Sequence, residues 1–436
     1  MASAAFYTLG CKVNQYETEA IIELFKKDNY EIASFEDYAD VYVINTCTVT
    51  NLGDRKSRQM IRKAKKMNPE AIVAVVGCYV QTAPDEVKAI EGVNIIIGTD
   101  KRSRIIQLIH QYKEEKRIID ATDNIMGVKE FEELSINELE GRTRAYLKIQ
   151  EGCNQYCSYC IIPYARGPIR SRMPENIINE VKNLVNNGFK EIVLTGIHVA
   201  SYGKDLGNID LLKILQMVHT IDGLERIRLS SIEPSIITRE FVEVIKGLPK
   251  ICPHFHLSLQ SGSDTILKKM NRKYDTKKYK DAVNLLKEKI EGIALTTDII
   301  VGFPGEGEEE FKESFDFVKE IGFSQIHVFK YSPRKGTPAA RIKEQVDSKF
   351  KEERSHRMIQ LGEQLQKKFL TQQIGKTLEV LFENPMENSL NVYGGHSKNY
   401  LKVAATSQDD IENKILKVEI TELDGDILKG NIKSSQ

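Results

Sequence analysis

Ala145-Tyr146-Leu147-Lys148-Ile149-Gln150-Glu151-Gly152-Cys153-Asn154-Gln155-Tyr156-Cys157-Ser158-Tyr159-Cys160 passes from a strand-like stretch into three cysteines spaced CxxxCxxC. Eight residues carry all three thiols, so one tight loop presents them together. Three thiolates hold three irons of a four-iron cluster and leave the fourth iron without a protein ligand. An iron left open can chelate a substrate, as the open position of a catalytic zinc does. A structural zinc loop is the plainer alternative, but it needs a fourth His or Cys nearby. Tyr164, Arg166 and Arg170 follow instead.

Working outward, strand patterns fall at residues 145–150, 191–195, 226–230, 254–259, 294–301 and 325–331, each but the last followed by a helical pattern. Six βα units predict an open barrel related to the eightfold one, with its site at the carboxyl ends of the strands. That edge would collect the cysteine loop with Tyr159, then Thr195-Gly196-Ile197-His198, Ser231, Glu233, Gln260, Asp298 and Phe329. Small and hydroxyl residues suit a bound nucleoside and an amino acid moiety. Arg166, Arg170 and Arg172 are placed to meet a carboxylate or phosphate. Lys268, Lys269, Arg272 and Lys273 form a second basic group that reads as an exposed helix end. His198 reads as a hydrogen-bonding residue in a loop, and Cys252 as core packing.

The first 115 residues alternate short apolar runs (Ala4–Leu9, Val41–Asn45, Ala71–Val76, Asn94–Ile97) with helical patterns. This predicts a doubly wound parallel sheet. Cys11, Cys47 and Cys78 each follow one of these runs, at the sheet edge where such folds gather ligands. Free cysteines are often merely buried. Three at one edge, two of them preceded by glycine, favour a second metal cluster. Asn14, Asn45, Thr46, Thr48 and Gln81 surround them as prospective hydrogen-bond donors to sulfur. The helix after Cys47 carries Arg55, Lys56, Arg58, Arg62, Lys63, Lys65 and Lys66 against Asp54, and reads as a phosphate-binding surface or a solvated face.

Residues 116–141 are charged and aperiodic and read as a linker. The central domain then covers 142–370, ending in a charged helix from Lys349 to Phe369. Residues 371–436 offer five short alternating runs from Leu378, Leu390, Tyr400, Ile415 and Ile427, with a turn at Gly394-Gly395. They predict a small β-barrel of OB-like size, a shape that often binds RNA. Its seven Lys and no Arg against ten Asp plus Glu argue partly against that role.

Lys plus Arg and Asp plus Glu both number 62 in the 436 residues, so any nucleic-acid surface must be local. No apolar run is long enough to span a bilayer, and the amino terminus lacks the features of a signal peptide. Seven cysteines, six of them in two sets of three, fit metal ligation in a reducing cytoplasm better than disulfides.

The aromatic Tyr159 just before the last cysteine makes the loop resemble the radical S-adenosylmethionine superfamily. Together with Thr8-Leu9-Gly10-Cys11-Lys12-Val13-Asn14, Asn45-Thr46-Cys47 and Gly77-Cys78, it makes nearly the whole chain resemble that superfamily's methylthiotransferases. The tail resembles their TRAM domain. Lys12-Val13-Asn14 and Thr195-Gly196-Ile197-His198 resemble the branch acting on threonylcarbamoyladenosine of tRNA; the isopentenyladenosine branch more often has Gln-Met-Asn at the first site. The resemblance implies two [4Fe-4S] clusters and S-adenosylmethionine as cofactors. Cys153, Cys157 and Cys160 would hold the cluster that cleaves S-adenosylmethionine, and Cys11, Cys47 and Cys78 an auxiliary, sulfur-carrying cluster. Tyr159, Thr195, Gly196, Ser231, Glu233, Gln260, Asp298 and Phe329 would bind the cofactor. The product would be a methylthio group at carbon 2 of the adenosine next to the anticodon, with flavodoxin or ferredoxin as electron donor. Alternatives are the same chemistry on isopentenyladenosine or on a ribosomal-protein aspartate, and, from another class, an iron–sulfur electron carrier.

Overall fold

The computed structural model describes residues 1–136, 143–386 and 391–433. The end of the predicted linker, the predicted strand start at Leu390 and residues 434–436 lie outside them.

Strands β1 (Ser3–Thr8), β2 (Glu31–Ala33), β3 (Val41–Thr46), β4 (Ile72–Gly77), β5 (Ile95–Ile97) and β6 (Ile119–Ala121) form one parallel sheet in the order β2-β1-β3-β4-β5-β6. Alternation along β3 divides its side chains between two cores. Val41 and Val43 pack with Ile21, Phe25, Ile105 and Leu108 on one face. Tyr42 and Ile44 pack with Ile61, Ala64, Val80 and Val87 on the other. Helices on both faces explain why these strands read as continuous apolar runs. The edge strands β2 and β6 are only three residues long and leave no such run.

β6 corrects the predicted boundary, because it pairs with β5 and carries the sheet past residue 115 to Ala121. The segment beyond it is also no free tether. Glu132 pairs with Arg102 and Glu133 with Arg172, while Leu134 and Ile136 are buried in the core of the central domain.

That domain is built on β7 (Arg144–Glu151), β9 (Glu191–Gly196), β10 (Arg226–Leu229), β11 (His254–His256), β12 (Ala294–Val301) and β13 (Gln325–Lys330), with the two-residue β8 (Arg170–Ser171) antiparallel to β7. The six main strands run parallel around an open arc. Between β10 and β11 the ladder thins to single bridges, Ile227–Ile251 and Ile232–Leu257. Outer helices at Pro174–Asn186, Leu211–His219, Arg239–Lys246, Thr276–Lys289 and Glu308–Ile321 supply the apolar stripes that cover it. Tyr16 and Ala20, from the amino-terminal helix Lys12–Lys27, enter the same core, so the two domains share packing.

The tail closes into a five-stranded barrel in the order β14 (Thr377–Pro385), β15 (Val392–Ser397), β16 (Lys402–Thr406), β18 (Ile427–Ile432), β17 (Ile415–Asp424). Gly394 and Gly395 lie inside β15 and are not the turn expected of them. A side chain on Gly395 would meet the carbonyl oxygen of Leu381 at 2.3 Å, so glycine there permits close approach of β14. The small barrel covers the amino-terminal mouth of the large one. Arg226 donates to the carbonyls of His396 (3.0 Å) and Glu379 (2.9 Å), and Arg144 pairs with Glu383 (3.1 Å). The Tyr400 ring sits 4.5 Å from the Arg228 guanidinium and 4.9 Å from the ring of His254.

Candidate active site

After β7 the chain turns at Gly152, at φ +72°, where an added Cβ would fall 1.8 Å from the Pro168 carbonyl oxygen. The Cys153 amide then donates to the Gly167 carbonyl (3.0 Å) and the Cys160 amide to the Cys157 carbonyl (2.9 Å), which folds the three cysteines into one loop. Withdrawal from water pushes the Cys153 thiol up to about 11 and, with Cys157 beside it, Cys160 up to about 12. These thiols stay protonated until a metal cation displaces the protons. Arg272 is a charged donor at this set, from Nη1 to Cys157 Sγ at 3.1 Å.

The second set forms at the carboxyl ends of β1, β3 and β4. Gly10, at φ +106°, lies so close to Cys47 that an added Cβ would be 3.0 Å from its Sγ. Cys78 is buried, and burial pushes its thiol up to about 12 against the opposing pull of Arg166, whose Nε donates to Sγ at 3.1 Å. None of the expected side-chain donors donates to sulfur, and Asn14 Oδ1 instead accepts from the Cys11 thiol (3.8 Å). Asn14 Nδ2 donates to the carbonyls of Leu9 and Thr46, Asn45 Nδ2 to that of Asn14, Thr46 to Val76, and Gln81 to Asp123. Thr48 accepts from Arg334. Nothing local in the sequence marks Arg166 or Arg272 as the sulfur donors, since each arrives from a different stretch of chain.

The donor chemistry of both sets suits iron–sulfur clusters. Each is all thiol, and among the described residues no three His, Cys, Asp or Glu converge closely enough for a single ion. Thiols alone are a ligand set for an iron–sulfur cluster, each binding a different iron.

A cavity of about 680 Å³ reaches from the first set to Cys11 of the second. Cys153, Cys157 and Cys160 line it, and so do Cys11 and Lys12. Of the residues expected to bind a cofactor, Tyr159, Thr195, Gly196, Ser231, Glu233 and Phe329 are in its wall. Gln260 and Asp298 are not. Gln260 sits at φ +69° in a single bridge to Ile299, its amide bonded to the Asp298 carbonyl, and the Asp298 carboxylate pairs with His256 at 3.2 Å. Glu233 is held by Arg272 (2.9 Å), His198 (3.2 Å) and Gln155 (3.2 Å). Arg272 is therefore no exposed helix end, whereas Lys268, Lys269 and Lys273 are exposed.

Arg166 and Arg172 do meet carboxylates, but those of the chain itself. Arg166, Arg102 and Lys148 surround Glu17 and Glu151, and all five side chains are withdrawn from water. These cations hold Glu151 down to about 2 and Glu17 well below the usual carboxylate range, despite burial. Arg172 pairs with Glu180, and Arg170 donates to the carbonyls of Arg166 and Pro168.

Comparison with known proteins agrees with this arrangement. Residues 147–318 match the radical SAM superfamily, and residues 3–98 match the uncharacterized protein family UPF0004. The threonylcarbamoyladenosine tRNA methylthiotransferase MtaB of Bacillus subtilis is 51% identical over 423 residues, covering 96% of this chain and 94% of the relative. The chain belongs to the radical-SAM methylthiotransferase family. Its cofactors are two [4Fe-4S] clusters and S-adenosylmethionine. A tRNA-2-methylthio-N(6)-dimethylallyladenosine synthase of Clostridium botulinum is 37% identical, covering 97% of this chain and 95% of that one. In fold the chain is similar to the radical S-adenosylmethionine methyltransferase TsrM of Kitasatospora setae, with a TM-score of 0.58 and 15% identity over 78% and 77% of the two chains. No helix among the described residues is long and apolar enough to cross a membrane.

Proposed function

We propose that the chain inserts a methylthio group at carbon 2 of N6-threonylcarbamoyladenosine next to the anticodon of tRNA. The observation that carries this reading is Cys11 in the wall of the cavity that also holds Cys153, Cys157 and Cys160. One bound base would then face both thiol sets. An unactivated aromatic C–H bond requires radical chemistry that side chains do not supply. When bound, the clusters supply the electron that cleaves S-adenosylmethionine and the sulfur that is inserted.

The chain's own residues bind and orient. Thr195, Ser231 and Ser258 offer hydrogen bonds to a nucleoside or amino acid moiety in the wall. Arg272 ties the cysteine loop to Glu233 and so fixes the cavity floor. An anticodon-loop base can enter without opening a duplex. A flavodoxin or ferredoxin would deliver the electron, and seven free cysteines suit a reducing cytoplasm.

The test separates the sets. Cys157→Ala should lose both S-adenosylmethionine cleavage and product. Cys47→Ala should still cleave S-adenosylmethionine to deoxyadenosine but form no methylthiolated nucleoside. Iron should fall by about half in each, by the ligand count. Full iron and normal methylthiolation in Cys47→Ala would leave Cys11, Cys47 and Cys78 without a cluster and overturn the two-cluster reading.

A further inference from the structure

Lys12 opens the helix Lys12–Lys27 directly after Cys11 and lines the cavity, half-buried. The other fully ionised groups in that wall are already matched. Glu233 pairs with Arg272 and with His198, and Arg272 also donates to Cys157. Among the described residues no carboxylate lies within ion-pair distance of Lys12, and its ammonium rests 5.9 Å from the centre of the Tyr146 ring. Arg228 and Arg144 add repulsion from the barrel interior that outweighs the attraction of Glu191, which is itself paired with Arg228. An ammonium drawn partly out of water without a direct ion pair is unfavourable unless a ligand brings one.

We infer that Lys12 reads the carboxylate of the N6-threonylcarbamoyl group and so selects which modified adenosine the cavity accepts. This rests on the functional reading above. Carbon 2 and carbon 6 of adenine both flank ring nitrogen 1. A base that turns carbon 2 toward Cys11 therefore carries its N6 substituent along the same edge, where Lys12 is the next residue. The two relatives named above differ in this substituent: a threonylcarbamoyl group ends in a carboxylate, and a dimethylallyl group is a hydrocarbon. A lysine facing the first gains a charge-assisted hydrogen bond, and facing the second it is left unpaired. S-adenosylmethionine also carries a carboxylate, so the test must separate the two sources.

Holoenzyme, Lys12→Gln and Lys12→Arg should be titrated with anticodon stem-loops bearing either N6-threonylcarbamoyladenosine or its carboxamide, which has the same size and no charge. The unaltered enzyme should bind the acid at least about tenfold tighter than the amide, the scale of one charge-assisted hydrogen bond. Lys12→Gln should lose the preference, and Lys12→Arg should keep most of it. Iron content and S-adenosylmethionine affinity should be the same in all three. Equal binding of acid and amide by the unaltered enzyme, or a preference that survives in Lys12→Gln, would overturn the assignment. Weakened S-adenosylmethionine binding in Lys12→Gln would overturn it too, by giving Lys12 to the cofactor's carboxylate. If Lys12→Gln fails to fold or loses iron, acid against amide in the unaltered enzyme and in Lys12→Arg still decides. Failure of the functional reading itself would look different: the unaltered enzyme would form no methylthiolated product on the acid-bearing tRNA.

Discussion

Arg166 directs every arm of its guanidinium to a partner. Nε donates to Cys78 Sγ, Nη1 to Glu17 and Glu151, and Nη2 to Asn14 and Glu17. It thus ties a cysteine of the amino-terminal sheet to a carboxylate at the end of β7. Hydrogen bonds to cluster sulfur stabilise the more negative, reduced state and raise the potential. Arg166→Lys keeps the charge but loses the fork. In a spectroscopically monitored redox titration it should lower the midpoint of the cluster proposed at Cys11, Cys47 and Cys78, and leave the other unchanged. An unmoved auxiliary midpoint would reduce Arg166 to an ion-pair partner. Full truncation is the poorer experiment, because leaving Glu17 and Glu151 buried and short of a cation costs about 3–5 kcal/mol.

Among the elements, the helix Asn51–Met67 gains definition from the structure. Its amino end is fixed to the loop after β13, where Arg334 pairs with Asp54 and donates to Thr48 and Asn51. Several of its cations are already engaged: Arg58 with Tyr79, Lys63 with Glu36, Lys65 with the carbonyls of Pro69 and Ala71. Arg55, Arg62 and Lys66 remain exposed on one face, with no carboxylate partner among the described residues. Changing these three to Glu should weaken tRNA binding and flatten its dependence on salt, by roughly 0.7–0.9 in log–log slope per lost phosphate contact. S-adenosylmethionine cleavage without tRNA should not change. Unaltered affinity and slope would return this face to plain solvation.

Across the whole molecule, the seal between the two barrels brings together charges that are distant in the chain. His254, first residue of β11, is buried beneath Tyr400 and faces Arg228 from β10, His256 on its own strand, His396 from β15 and Lys12 from the amino-terminal helix. Burial, then Arg228, holds its pKa well below the usual histidine value of 6.5. The folded protein keeps it neutral, while the unfolded chain takes up the proton near the ordinary value. Its contribution is therefore complete above that value and is lost as pH falls below it. Between about pH 7.5 and about pH 5.5 this one group should cost about 1.4 kcal/mol. His254→Gln should show that much less acid sensitivity than the unaltered protein in paired denaturant titrations. Parallel pH profiles would mean that His254 protonates in place.

The sequence alone determined the apolar runs that become β1, β3, β4 and the barrel strands, because burial on both faces leaves an unbroken apolar signature. It also placed the six cysteines beyond the carboxyl ends of strands, because each set follows strands and strands of one parallel sheet end at one edge. The short edge strand β6 carries too few residues to show a pattern, and the glycines of β15 look like a turn because close strand approach is not written locally. Only the tertiary structure decided the rest. That Arg166 and Arg272 reach sulfur, that Tyr400 closes the mouth of the larger barrel, and that Lys12 has no direct ion pair among the described residues depend on distances between residues up to hundreds of positions apart. Periodicity and spacing report on a residue's own element; hydrogen bonds and charge pairing report on whichever element folding brings against it.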